Sequence, residues 1–175
     1  IHEAACTGAP FVHNPRHPQR SVTAMRLLTA AEDAARVALT HALYKAYWVD
    51  NLDINDPSVI GPLAEAHGVS LEGTQDPSIK DALRAQTKAA SDRGVFGVPT
   101  FEVDGKIWWG QDRMHLVEEA LGGRPQYLPE GQARPGSSID FYHDFSSPYS
   151  YLAATQIEQA ANRIGAAVVF KPILL

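Results

Sequence analysis

A chain of 175 residues, 45% of them hydrophobic, is long enough to bury one sizeable core, as one domain or as parts of two. Its formal charge of -5, from 15 basic and 20 acidic side chains dispersed along the chain, gives no electrostatic footprint for nucleic acid or an anionic lipid surface. Its one cysteine, Cys6, excludes an intrachain disulfide and a Cys-x-x-Cys pair for redox cycling or zinc; on an apolar helical stretch with Ile1, Ala4 and Ala5 it reads as a small core residue.

Ile1 to Cys6 looks like the end of a helix rather than its beginning. The opening Ile-His-Glu-Ala lacks the regions of a signal peptide, and no window approaches the ~18 apolar residues of a membrane span, so a cytoplasmic protein is expected. After the Pro-rich loop from Phe11 to Pro18, apolar residues recur at helical spacing from Val22 to about Ala30 and again from Ala34 to Trp48. Asp56-Pro57 opens a short helix that closes at His67-Gly68, and Asp76-Pro77 repeats the device for a helix running to Arg93-Gly94: in each, an acidic N-cap precedes Pro at the first helical position. Residues 21 to 93 therefore read as an all-helical block. The histidines His13, His17 and His67 match no zinc pattern, and no metal site is expected.

The character changes at Gly94. Residues 99 to 103 and 106 to 109 flank Asp104-Gly105, the strongest short-range hairpin signal, and Trp108 and Trp109 divide between the two faces of the second strand. Gln111 to Leu121 reads as a helix closed by Gly122-Gly123; Arg124 to Ser138, rich in Pro, Gly, Gln and Ser, reads as a linker. Beyond it, Ile139 to Tyr142 is a strand, Pro148 to about Ile164 a helix, and Ala167 to Phe170 a buried strand. The order is helices, ββα, linker, βαβ. The division is 1–123 for the helices and ββα half, 124–138 for the linker, and 139–175 for the βαβ half.

The segment from Asp140 to Ala153, with Ser146-Ser147-Pro148-Tyr149-Ser150 at its centre, resembles the amino-terminal strand and helix of the 2-hydroxychromene-2-carboxylate isomerases and kappa-class glutathione transferases. Gly94 to Phe101, with Gly110-Gln111-Asp112-Arg113, is similar to the carboxyl-terminal part of the same family. The resemblance implies an α/β fold: a thioredoxin-like, DsbA-like sheet with an all-helical insertion, its βαβ and ββα halves permuted in sequence. It implies a glutathione-dependent isomerase of aromatic catabolism, acting on an aromatic hydroxy-acid or its ring-opened pyruvate form, with glutathione as cofactor. Two other readings stay open: a kappa-like transferase that leaves the thioether in place, and a non-catalytic, degenerate thioredoxin-fold module. A disulfide oxidoreductase is disfavoured, since Ser147 and Ser150 stand where thiols are needed.

The resemblance places Ser147 as the catalytic residue that holds the glutathione thiolate. At the start of a helix with Pro148 behind it, its hydroxyl is a poor nucleophile but a competent donor to a thiolate; a plain N-cap at Ser146 or Ser147 is the alternative. Val98 and Pro99 correspond to the family's cis proline, whose preceding residue pairs with the cysteinyl unit as in strand addition; a trans proline opening a strand is the alternative. Gln111 and Asp112 match the corner that grips the glutamyl end, while Asp112 also suits simple stabilisation of a helix start. Trp48, Asn51 and Tyr149 are candidates for the substrate pocket, with core packing the competing role for Trp48.

One departure stands out. In the family, the strand equivalent to residues 168–175 is followed by several dozen residues that supply an Asn and a Lys for glutathione, whereas here Leu175 is the last residue and Ile1 to Pro15 resembles what comes after that stretch. A circular permutant with a shortened loop, a piece spanning two tandem copies, and a chain lacking a mobile loop each fit; a homodimer or a tandem or swapped assembly is expected.

Overall fold

The computed structural model describes residues 4, 7–123 and 136–174. Cys6 and all but the last three residues of the expected linker, 124–138, lie outside the described residues. The helices α1 (Val22–Ala30), α2 (Asp33–Trp48), α3 (Pro57–Ala66) and α4 (Pro77–Asp92) precede the sheet, with a 3-10 turn at Glu72–Gln75 that the apolar pattern does not announce. The Asp-Pro signals fall where expected. Asp56 and Asp76 each accept the amide of the serine two residues on, at 2.8 Å in both cases.

Both carboxyls are held below their ordinary value of 3.8, Asp56 mainly by the Ser58 hydroxyl and Asp76 mainly by the Ser78 amide. A depressed folded-state value means that the caps act fully above the ordinary carboxylate range and fail as the pH falls through the lower folded-state value. An Asp56→Asn/Asp76→Asn double variant keeps the acceptors but not the titration. Its thermal midpoint is therefore expected to fall less than that of the wild type between about pH 5 and about pH 2. Equal acid losses in the two proteins would contradict this.

The hairpin pairs β1 (Thr100–Val103) with β2 (Lys106–Trp109). Its two loop residues, Asp104 and Gly105, have φ of 49° and 76°, the doubly left-handed turn that matches strand twist. A 3-10 turn at Gln111–Arg113 precedes α5 (Met114–Ala120), so the expected continuous helix from Gln111 starts one turn late. Then follow β3 (Ser138–His143), α6 (Pro148–Ala154), α7 (Ile157–Arg163) and β4 (Ala167–Pro172). The single helix expected over residues 148–164 is broken. Thr155 Oγ1 and Gln156 Nε2 both turn back onto the Leu152 carbonyl, at 2.8 and 2.9 Å, and such local side-chain bonds compete with helix continuation.

Among the described residues the four strands form one sheet in the order β2-β1-β3-β4, with β1 antiparallel to both its neighbours and β3 parallel to β4. The ββα and βαβ halves therefore meet along the β1–β3 seam. Register lines up Phe101, Phe141 and Phe170 across one face, with ring centroids 5.5 and 5.2 Å apart, and this row joins the main core shared with α1, α2, α6 and α7. On the other face Arg93 donates to the Tyr142 hydroxyl at 2.9 Å, and Tyr142 donates to Glu102 at 3.1 Å. A smaller apolar cluster of Ala90, Val95, Tyr142 and Ile173 lies beside them.

Candidate functional site

The seam between the halves carries the site. On the βαβ side, Asp144 folds the chain between β3 and α6: its carboxylate accepts the Ser146 amide at 3.0 Å and its carbonyl accepts the Ser147 amide at 3.2 Å. This turn delivers Ser147 as the N-cap of α6, its Oγ accepting the Ser150 amide at 3.1 Å. The same hydroxyl donates to the Val98 carbonyl, 3.2 Å away on the other half. One side chain thus serves as a cap and as a bridge. With only seven residues, α6 has a small axial dipole, so the hydroxyl itself is the principal polar group that Ser147 brings.

The Val98–Pro99 bond is cis, the arrangement the resemblance implied. Pro99 passes its carbonyl to the Gly110 amide at 3.0 Å, and Thr100 Oγ1 donates to the Gly97 carbonyl at 2.6 Å. The Val98 amide has no hydrogen-bond partner among the described residues. Gly110 sits at φ 104°, and a Cβ there would strike the Asp112 carboxylate, so only glycine admits this corner. Asp112 in turn lies 3.7 Å from the Arg113 guanidinium.

Between these groups opens a cleft of about 330 Å³, lined by Val98, Pro99, Trp109, Gly110, Gln111, Asp112 and Tyr149. Val98, Pro99, Gln111, Asp112 and Tyr149 are thereby brought together, with Ser147 attached through its bond to Val98. Trp48 and Asn51 are not. Trp48 is completely buried among Phe11, Tyr47 and His17, with centroids 5.3, 4.5 and 5.2 Å away. Asn51 turns the chain after α2 at φ 57°, its carbonyl accepting Arg16 at 3.3 Å. The structure places Trp48 in the helical core, on the inward face of α2 with Leu43, Tyr44 and Tyr47, and Asn51 just beyond that helix. Trp109 joins the cleft although no sequence signal gave it a role; strand alternation separates Trp108 from Trp109 but does not tell which face meets a cleft.

Behind Ser147 lies a buried polar group. His143, Asp144, Ser150 and Tyr44 are all at most 1% exposed, and the Tyr44 hydroxyl lies 3.4 Å from His143 Nδ1. Burial, with smaller contributions from His41 and Arg36, lowers His143 to about 3, so its ring is neutral near pH 7. Burial and the nearby Asp144 carboxylate raise the Tyr44 phenol. Ser147 touches none of these as a base: its partners are a carbonyl and an amide. Without a base in contact, its hydroxyl is a hydrogen-bond donor rather than a nucleophile. Among the described residues no three His, Cys, Asp or Glu side chains gather to hold a metal ion, and no described helix is long and apolar enough to cross a membrane.

A family model described as a DSBA-like thioredoxin domain matches residues 2–122. The chain is similar to 2-hydroxychromene-2-carboxylate isomerase of Pseudomonas sp. (strain C18), 34% identical over 92 residues that cover 50% of this chain and 43% of the relative. It is also similar to glutathione S-transferase kappa 1 of Homo sapiens, 36% identical over 116 residues, covering 58% and 51% respectively. The isomerase of Pseudomonas putida is 27% identical over 119 residues, covering 66% of this chain and 58% of the relative. A solved selenomethionine structure of a 2-hydroxychromene-2-carboxylate isomerase superposes with a TM-score of 0.60 at 24% identity, over 68% of this chain and 60% of that one, which shows a shared fold. The chain spans about half the length of the curated relatives it matches.

Proposed function

Because this chain belongs to the DSBA-like thioredoxin domain family, we propose that its cleft binds glutathione and serves an isomerase of the 2-hydroxychromene-2-carboxylate type in a cytoplasmic setting. The observation that carries the reading is the bridge from Ser147 to the Val98 carbonyl at 3.2 Å, at the head of a cleft that runs to Asp112. The residues present fit a cysteinyl peptide. Among the described residues the Val98 N–H has no partner and its carbonyl accepts the exchangeable Ser147 hydroxyl, which leaves the pair of groups that strand-like pairing requires.

The chemistry glutathione supplies when bound is reversible addition of a thiolate to a conjugated double bond, rotation about the resulting single bond, and departure of the same thiolate. The protein's part is positioning and charge. Val98 takes the cysteinyl peptide group through its N–H and its carbonyl. Once that carbonyl accepts the ligand's N–H, the Ser147 proton is released from it and turns to the sulfur, where a donated hydrogen bond favours the charged form. Asp112 receives the glutamyl ammonium, and Gln111 completes that corner. Tyr149 borders the substrate end of the cleft.

A second reading, a kappa-like transferase that leaves the thioether formed, draws on the 36% identity to the human kappa protein. Product analysis separates the two, since the isomerase regenerates free thiol. A homodimer belongs to the same proposal.

Titration calorimetry of the folded chain with reduced glutathione is the direct test. Saturable binding at one site per chain, with proton release above that of the buffer near pH 7 as the thiol ionises, is the expected result. Absence of binding would sink the glutathione reading and favour a non-catalytic thioredoxin-fold module.

A further inference from the structure

Three large aromatic side chains stand in water around one opening: Phe96 is 72% exposed, Trp109 53% and Tyr149 54%. Trp109 and Tyr149 line the cleft, and the Phe96 ring lies against the Trp109 ring with centroids 5.5 Å apart. Scattered exposed apolar side chains need no explanation, whereas aromatic surface gathered at the mouth of a cleft points to a ligand.

The indole is seated rather than loose. Its Cα is fixed by the pairing of Trp109 with Thr100 in the hairpin, and Gly97 leaves the space it occupies: a Cβ on Gly97 would collide with the indole nitrogen and its neighbouring carbons. Gly97 is not among the glycines with positive φ, so an alanine there meets only that collision and no backbone penalty. The residue's smallness therefore serves the tryptophan.

We propose that Trp109, seated by Gly97 and flanked by Phe96, is a stacking platform that makes the site selective for a planar aromatic group over an aliphatic one. The inference rests on the glutathione reading above, which puts the sulfur at Ser147 and the glutamyl end at Asp112. A group carried on the sulfur then shares the cleft with Trp109 and Tyr149. An offset or edge-on aromatic contact contributes roughly threefold to tenfold in affinity beyond the apolar area buried, and a pre-seated ring loses little side-chain freedom on binding.

Calorimetric titration of the whole chain with S-benzylglutathione and S-methylglutathione tests the platform without turnover. The wild type is expected to bind the benzyl thioether roughly tenfold more tightly or better. Trp109→Ala should bring that ratio near one, Trp109→Phe should keep part of it, and Gly97→Ala, which retains the indole but evicts it, should lose it as well. If both thioethers bind the wild type equally, or if Trp109→Ala keeps the preference, the platform is overturned and the glutathione reading stands. If neither thioether nor glutathione binds the folded wild type, both fall together.

Discussion

Ser147→Ala is expected to slow the proposed glutathione-dependent reaction by about two orders of magnitude at saturating substrate, the typical loss when one preorganised donor is removed from a developing or stabilised anion. The hydroxyl accepts from Ser150 and donates to Val98. Only the donated proton is available to a thiolate. The methyl of alanine leaves the thiol without that partner, so the pKa of the bound thiol rises toward its solution value and the reactive fraction near pH 7 falls. Near-ultraviolet thiolate absorbance of the complex, followed against pH, reads this shift separately from turnover. The lost cap costs about 1 kcal/mol of stability, which chemical denaturation measures. Ser147→Thr keeps a hydroxyl and a cap and should recover much of the rate. Wild-type turnover by Ser147→Ala would reduce Ser147 to a helix cap.

The second large effect concerns the buried imidazole behind the site. His143 is lowered from its ordinary 6.5 to about 3, first by burial and then by His41 and Arg36. Between those two values the unfolded chain binds a proton that the folded chain refuses. Stability contributed by the neutral ring is therefore complete above 6.5 and is lost as the pH falls toward 3, with the slope of one proton and a total on the order of 5 kcal/mol. His143→Phe keeps an aromatic ring beside Phe141, Phe145 and Phe170, which lie 5.3, 5.9 and 5.8 Å from the imidazole. Since Nε2 has no hydrogen-bond partner among the described residues and Nδ1 has only the long 3.4 Å contact with the Tyr44 hydroxyl, the substitution should change stability near pH 7 by no more than about 2 kcal/mol. Urea denaturation of both proteins at several pH values is the measurement. Loss of one proton's slope between about pH 6 and about pH 4 in the variant is expected; identical acid limbs would assign the acid sensitivity to other groups.

Much of the architecture was legible because its determinants are local. Asp56-Pro57 and Asp76-Pro77 mark their helix starts with a side-chain acceptor and a fixed φ, and Asp104-Gly105 sets the hairpin by backbone conformation alone. The break between α6 and α7 was not legible, since the apolar positions from Tyr151 to Ile164 keep a helical period while Thr155 and Gln156 spend their polar groups on the Leu152 carbonyl. At the site, Ser147, Val98 and Asp112 were identified through resemblance, and their meeting depends on the β1–β3 register, which no local rule specifies. Trp48 shows the opposite difficulty: an aromatic residue at helical spacing fits a core or a pocket equally until the neighbouring helices are in place. Trp109 needed the position of Gly97 as well as its own strand.

The bond between Ser147 and Val98 joins residues 49 positions apart, one from each side of the β1–β3 seam. A ligand gripped by both is therefore coupled to the docking of the two sides, because it binds them joined and loses contacts when they part. By mass action its binding free energy is added to the cohesion of the sheet. Occupancy then acts as a reversible cross-link, and the folded chain is most robust where its ligand is most abundant.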